Sequence, residues 1–188
     1  MNKTLFIIMF LLFFGACVEE VPYESGQIEP KLVLNGGITV DSIITIIDMT
    51  KASTEKRLWV INTNNDSVLI NTYVAHGKNS GDNYVVRFSN VPHSLMTSEG
   101  FYLTLNTYIG SHGYSLRLRG LEKDKNSNAE KRAIVMHGAW YVSEDFIKQY
   151  GRLGRSWGCP AVPDEEARKI IDLIKNGSLL FIYTGKKD

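Results

Sequence analysis

Along the chain, β-branched, apolar and aromatic residues gather in short runs separated by Asn, Gly, Asp and Ser. From Ile43 onward these runs are IITIID, RLWVIN, SVLINTYVA, NYVVRFS, FYLTLNTYI, YSLRLRG, RAIVMHG and SLLFIYT. Short strands at this spacing predict a mainly β domain, a β-sandwich or a barrel, rather than a parallel α/β sheet. The linker NTNNDS between the second and third runs is a hairpin signal, because Asn and Asp tolerate turn backbone and bond to it. Two segments follow a helical pattern instead. Ser143-Glu144-Asp145 opens a short helix through FIKQY with a capping hydroxyl and two acids in the first turn, and Gly151 closes it. Asp164 to Lys175 places Ala167, Ile170, Ile171 and Ile174 at helical spacing, with Asn176-Gly177 as the stop. The first helix lies within the segment His137 to Pro163 and the second follows it directly.

The N-terminus has another character. A single Lys3 precedes an apolar run from Leu5 to Phe14, then come Gly15, Ala16 and Cys17. By length and flanks this is a signal peptide, since a membrane-crossing helix needs about 20 apolar residues. Phe14-Gly15-Ala16-Cys17 resembles the bacterial lipoprotein box, with Phe where that pattern prefers Leu, so Cys17 is the expected site of a lipid anchor. The segment from Val18 to about Asn35 lacks a sustained period and carries Pro22, Gly26, Pro30 and several acids, which reads as a tether.

Composition narrows the chemistry. The chain has 188 residues, 44% hydrophobic and 22% charged, enough apolar material for one globular core. Its formal net charge is +1, so no bulk field draws it to nucleic acid. There are two cysteines, Cys17 and Cys159. If Cys17 carries lipid, Cys159 is a lone thiol in an oxidising compartment, and catalysis is the usual reason for one.

A cysteine attacks as thiolate and needs a base or a positive neighbour, most commonly a histidine. His137, at the end of the strand-like run RAIVM, is the candidate base on a rigid platform. Gly158 permits a tight turn and close approach of substrate to sulfur. Pro160 has no N–H, so oxyanion donors must come from Cys159 and the residues before it, Trp157 to Cys159.

His137-Gly138 followed by Ser156-Trp157-Gly158-Cys159 resembles the catalytic motif of the YkuD-like L,D-transpeptidases, and Gly154 to Val162 resembles their murein L,D-transpeptidase branch. Supporting segments such as VAHGKNSG, RFSNVP and GFYLT extend the likeness from about Ile43 to Thr184. The resemblance implies that the thiolate attacks the carbonyl at the L-centre of a diamino acid in a peptidoglycan stem peptide. Terminal D-alanine is expelled, and the acyl group passes to an amine on a second stem. It further implies that a backbone carbonyl often completes the triad, so neither Asp145 nor Asn128 is nominated. Gly138 joins Trp157 as a backbone contributor to the oxyanion site, and Ser156 joins the substrate-binding set.

One departure bears on substrate placement. The wider family continues Gly-Cys-hydrophobic-Arg, whereas Cys159 is followed by Pro160-Ala161. Arg155 is the nearest replacement for that arginine, and a guanidinium fork suits a carboxylate. His112-Gly113 precedes a strand on which Ser115, Arg117 and Arg119 share a face, so His112 and Arg117 are candidates to line a polar cleft. His76-Gly77 reads as turn chemistry. A zinc site from His137, His112 and Cys159 lacks the usual ligand spacing, and no metal or cofactor is expected. The chain divides into a signal peptide over 1–17, a tether over 18–35 and an L,D-transpeptidase-like catalytic domain over 36–188. The expected partners are peptidoglycan stem peptides and a membrane reached through the N-terminal lipid, with no nucleic acid and no obligate protein partner. The expected location is the cell envelope facing the wall. A hydrolase on the same site, with water replacing the amine, and a non-catalytic wall-binding lipoprotein are the alternatives.

Overall fold

The computed structural model describes residues 17–22, 28–34, 38–40 and 42–185, the first three stretches as backbone. The expected signal peptide, 1–17, lies outside the described residues except for Cys17. Strands β1 (Cys17–Pro22), β2 (Ile28–Leu34) and β3 (Ile38–Val40) form a small antiparallel sheet in that order. The stretch expected to be a tether therefore includes two paired strands. The two segments pair antiparallel from Cys17 opposite Val33 to Pro22 opposite Ile28, a partnership that the sequence, lacking a sustained period there, did not announce.

The remaining strands are β4 (Ile43–Asp48), β5 (Leu58–Asn62), β6 (Ser67–Thr72), β7 (Gly100–Gly110), β8 (Gly113–Gly120), β9 (Val135–Gly138), β10 (Ala161–Val162) and β11 (Leu179–Tyr183). They make one eight-stranded sheet in the order β10-β9-β8-β7-β11-β4-β5-β6. Beyond β6 the chain runs on to Ala75, whose N–H donates to Ala161 O at 2.8 Å. That bond joins the two ends of the sheet, so the expected mainly β fold is a nearly closed barrel. Within this sheet the β10–β9 and β11–β4 pairs are parallel and the other strand pairs antiparallel.

The local signals act as their chemistry dictates. In the β5–β6 hairpin, Asn62 and Asn65 side chains accept from the N–H groups of Asn64 and Ser67 at 2.9 and 3.1 Å. Helix α1 (Glu144–Tyr150) is capped by Ser143 Oγ, which accepts from Phe146 N at 3.3 Å, and ends on Gly151 at φ 69°. Helix α2 (Asp164–Ile174) turns Ala167, Ile170, Ile171 and Ile174 inward against β9, β8 and β4. After it, Asn176 and Gly177 take φ 65° and 122°, ending the helix where its stop signal stands.

One expected strand is absent. NYVVRFS lies in the irregular connection between β6 and β7, and its Tyr84 and Val86 are exposed. Its amides at Val86 and Arg87 both donate to Ser80 O, at 2.9 and 3.0 Å. A local loop thus satisfies them in place of a ladder partner.

Candidate active site

Strand β9 organises the site. In β8–β9, Ser115 stands opposite His137 and Arg117 opposite Val135; in β9–β10, Ala161 pairs with His137 and Val162 with Gly138. Alternation sends Met136 into the core and turns His137 to the other face, beside Ser115. Cys159 lies two residues before Ala161, so its segment runs alongside the start of β9. The thiol donates to Ala133 O at 3.8 Å; among the described residues no hydrogen bond joins it to the His137 ring.

The buried His137 ring is oriented by the strand itself. Nδ1 lies 2.7 Å from Gly138 O, and because a carbonyl only accepts, Nδ1 carries the proton and Nε2 keeps a lone pair. Against its other side stacks His112, from the β7–β8 turn, with ring centroids 4.2 Å apart and planes 18° from parallel. Burial holds the His137 pKa below the ordinary value, and the neighbouring His112 adds to this, against the Gly138 hydrogen bond and Asp164. Near neutral pH His137 is therefore an unprotonated imidazole with its free nitrogen defined, the form a general base needs.

The turn bearing Cys159 is knitted by Ser156. Its N–H donates to His76 O at 2.9 Å and its carbonyl accepts from Lys78 N at 2.8 Å. Its hydroxyl donates to Cys159 O at 2.6 Å and accepts from Gly158 N at 3.1 Å. Ser156, placed by the motif among substrate contacts, thus shapes the turn. The Gly158 N–H is taken up by this bond, whereas the N–H groups of Trp157 and Cys159 have no protein acceptor among the described residues. The Trp157 side chain is 74% exposed at the tip. Gly158 sits at φ 122°, and a Cβ there would stand 2.7 Å from Met96 O and 3.1 Å from Arg132 Nη2. Gly138 enters through its carbonyl, as acceptor for His137.

Burial pushes the Cys159 thiol up, against the Val135 backbone amide and the Arg132 guanidinium, which pull it down. At rest the site therefore holds a thiol beside a neutral imidazole rather than a preformed ion pair.

The two predicted arginines are already engaged. Arg155 pairs with Asp82 at 3.1 Å and donates to Gly81 O at 3.1 Å, and Asp82 also takes Arg152 at 2.8 Å. Arg117 lies over the Tyr108 ring, 4.2 Å from its centroid. Sequence reasoning missed Arg132 and Tyr141. Tyr141 packs against Gly154, and burial, then Cys159 and Asp164, push its hydroxyl up to about 12. Neither carries a motif: Arg132 stands in the polar run Glu130-Lys131-Arg132, which looks like a solvated turn.

The family model of the L,D-transpeptidase catalytic domain matches residues 32–183. Among solved structures, the chain is similar to a Lys-to-Ala mutant of the helical cell shape determining protein Pgp2 from Campylobacter jejuni. That match has a TM-score of 0.52 and 13% identity, and covers 79% of this chain and 49% of the other, so the chain spans about half that protein's length. A Cys-to-Ser mutant of an L,D-transpeptidase from Enterococcus faecium gives a TM-score of 0.50 at 8% identity, covering 96% of this chain and 80% of the other. At these identities the structural likeness speaks to the fold. No curated protein matches the chain. The family match spans the barrel, both helices and the turn of Cys159, and by it the chain belongs to the L,D-transpeptidase catalytic domain family.

Proposed function

We propose that the chain is a cysteine acyltransferase acting on peptidoglycan stem peptides, with Cys159 as nucleophile and His137 as its base. The observation that carries this is the defined tautomer of His137, its Nδ1–H held by Gly138 O and its Nε2 free, on the strand that runs beside the Cys159 segment. His137 Nε2 takes the thiol proton as sulfur bonds to the acyl carbon of the stem. The resulting oxyanion meets the unspent N–H groups of Trp157 and Cys159. Collapse breaks the bond to terminal D-alanine, whose amine receives the proton from His137, leaving a thioester. An amine of a second stem then attacks the thioester, gives its proton to His137 and restores the thiol.

Mass spectrometry of purified stem tetrapeptides after incubation with the protein tests this. Loss of D-alanine with formation of cross-linked dimer is expected, and both are abolished in Cys159→Ser. Loss without dimer makes the enzyme a carboxypeptidase, and turnover in the Ser variant removes Cys159 from its role. We further propose that Cys17 carries the lipid that holds the domain in the envelope, so that Cys17→Ser shifts the protein from the membrane to the soluble fraction. An unchanged membrane fraction counts against the anchor.

A further inference from the structure

Arg132 enters the site from the turn before β9 and is anchored unlike a solvated arginine. Its Nη1 donates to Ser89 O at 2.8 Å and to Ser98 Oγ; its Nη2 donates to Met96 O at 2.5 Å and to Ser94 Oγ at 3.2 Å. All four acceptors are neutral, and among the described residues no carboxylate pairs with this half-buried guanidinium. It lies beneath the nucleophile turn: a Cβ on Gly158 would be 3.1 Å from Nη2 and 2.7 Å from the Met96 carbonyl that Nη2 binds. The residue after Arg132 supplies the carbonyl that receives the Cys159 thiol.

We infer that Arg132 is the positioning cation of the site: seated under Gly158 without a carboxylate partner, it stabilises the charged form of the Cys159 sulfur. This rests on Cys159 being the nucleophile. A cation withdrawn from water and bonded only to neutral oxygens has lost hydration that they replace in part, so an anion forming nearby is stabilised. Two acidic groups lie within its influence, Tyr102 and Cys159. The buried Tyr102 hydroxyl donates to Ser98 O at 3.0 Å, and burial pushes its ionisation far above neutrality. Of the pair, the thiol is the one whose anion the proposed reaction forms, since the Tyr102 hydroxyl is spent on Ser98 O. The chain thus supplies from before β9 the positive charge that is missing after Cys159.

The test is alkylation of the folded protein by iodoacetamide, a neutral reagent, from pH 6 to 11.5, with thermal melts of every variant across that range. Arg132→Lys should keep the midpoint of thiol ionisation within about half a unit of the wild type. Arg132→Gln should raise it by about one unit or more, slowing alkylation near neutrality roughly tenfold. Ser98→Asp leaves the arginine in place but offers it a carboxylate, and should raise the midpoint likewise. An unchanged midpoint in Arg132→Gln overturns the inference; if that variant does not fold, an unchanged midpoint in Ser98→Asp does so. Turnover of stem peptide by Cys159→Ser is read separately, so loss of the nucleophile assignment is distinguishable from loss of the Arg132 coupling.

Discussion

Acidification should destabilise the fold through His76, a residue that sequence reasoning assigned to turn chemistry. His76 and Arg57 are both fully buried. Arg57 donates to Val74 O through Nε at 3.1 Å and Nη2 at 2.9 Å, to Lys51 O through Nη1 at 2.9 Å, and to His76 Nδ1 through Nη2 at 2.8 Å. Because guanidinium only donates, Nδ1 must accept, which fixes His76 as the neutral Nε2–H tautomer. That Nε2–H makes no hydrogen bond of ordinary geometry among the described residues, although the Gly81 backbone acts on the ring. A proton on Nδ1 would break the Arg57 bond and set two buried cations side by side. Burial, then Arg57, lower the His76 pKa from 6.5 to about 4.

The unfolded chain therefore takes up a proton between these values that the folded chain refuses. Stability from neutral His76 is fully present above pH 6.5 and is lost as pH falls toward and through 4. At about 1.36 kcal/mol per unit of pKa, the loss is about 2 kcal/mol by pH 5 and about 3 kcal/mol once pH is below 4. Urea denaturation at pH 8, 6.5, 5 and 4 measures it. His76→Asn keeps an acceptor near the Nδ1 position but does not titrate, so other groups contribute equally to both proteins. The wild type should lose about 2 kcal/mol relative to His76→Asn between pH 8 and pH 5. Parallel curves would refute the reasoning. Since His76 O holds the Ser156 amide, the same acidification should loosen the Cys159 turn.

Gly158→Ala should destabilise the fold by about 1 to 3 kcal/mol from backbone strain alone. The 2.7 Å approach to Met96 O adds to this, and an unshifted melting temperature argues against the packing described. Arg155→Ala breaks a partly exposed pair with Asp82, so it should cost about 1 kcal/mol or less and change kcat/KM for stems with a free carboxylate only severalfold. A hundredfold fall in kcat/KM would return Arg155 to the substrate. Turnover should retain its base function down to a pH below the ordinary histidine range, because burial lowers the His137 pKa; a loss centred at 6.5 or above in the kcat/KM profile would contradict that environment.

What was legible in the chain was what a local period or a local hydrogen bond determines. Strand alternation placed seven of the eight expected runs, and both helices end where their caps stand, because Ser143, Gly151 and Asn176-Gly177 satisfy backbone groups within a few residues of themselves. NYVVRFS has the residues of a strand, but a strand also needs a partner edge, and Ser80 takes its amides first. The site divides in the same way. Cys159, His137 and Gly158 stand in a compact motif, and His112 was marked by its place at the start of a polar strand face. Arg155 drew notice through its place just before the motif, whereas Arg132 and Arg57 gave no sequence signal. Each is a guanidinium in a polar stretch, and its role is set by the acceptors that distant loops present. Where Asp82 is supplied, the Arg155 charge is paired; where neutral acceptors are supplied, as around Arg57 and Arg132, the charge stays available to whatever group beside it can ionise. Beside Arg57 that group is a histidine, which the cation keeps neutral, and beside Arg132 it is a thiol, which the cation helps to ionise.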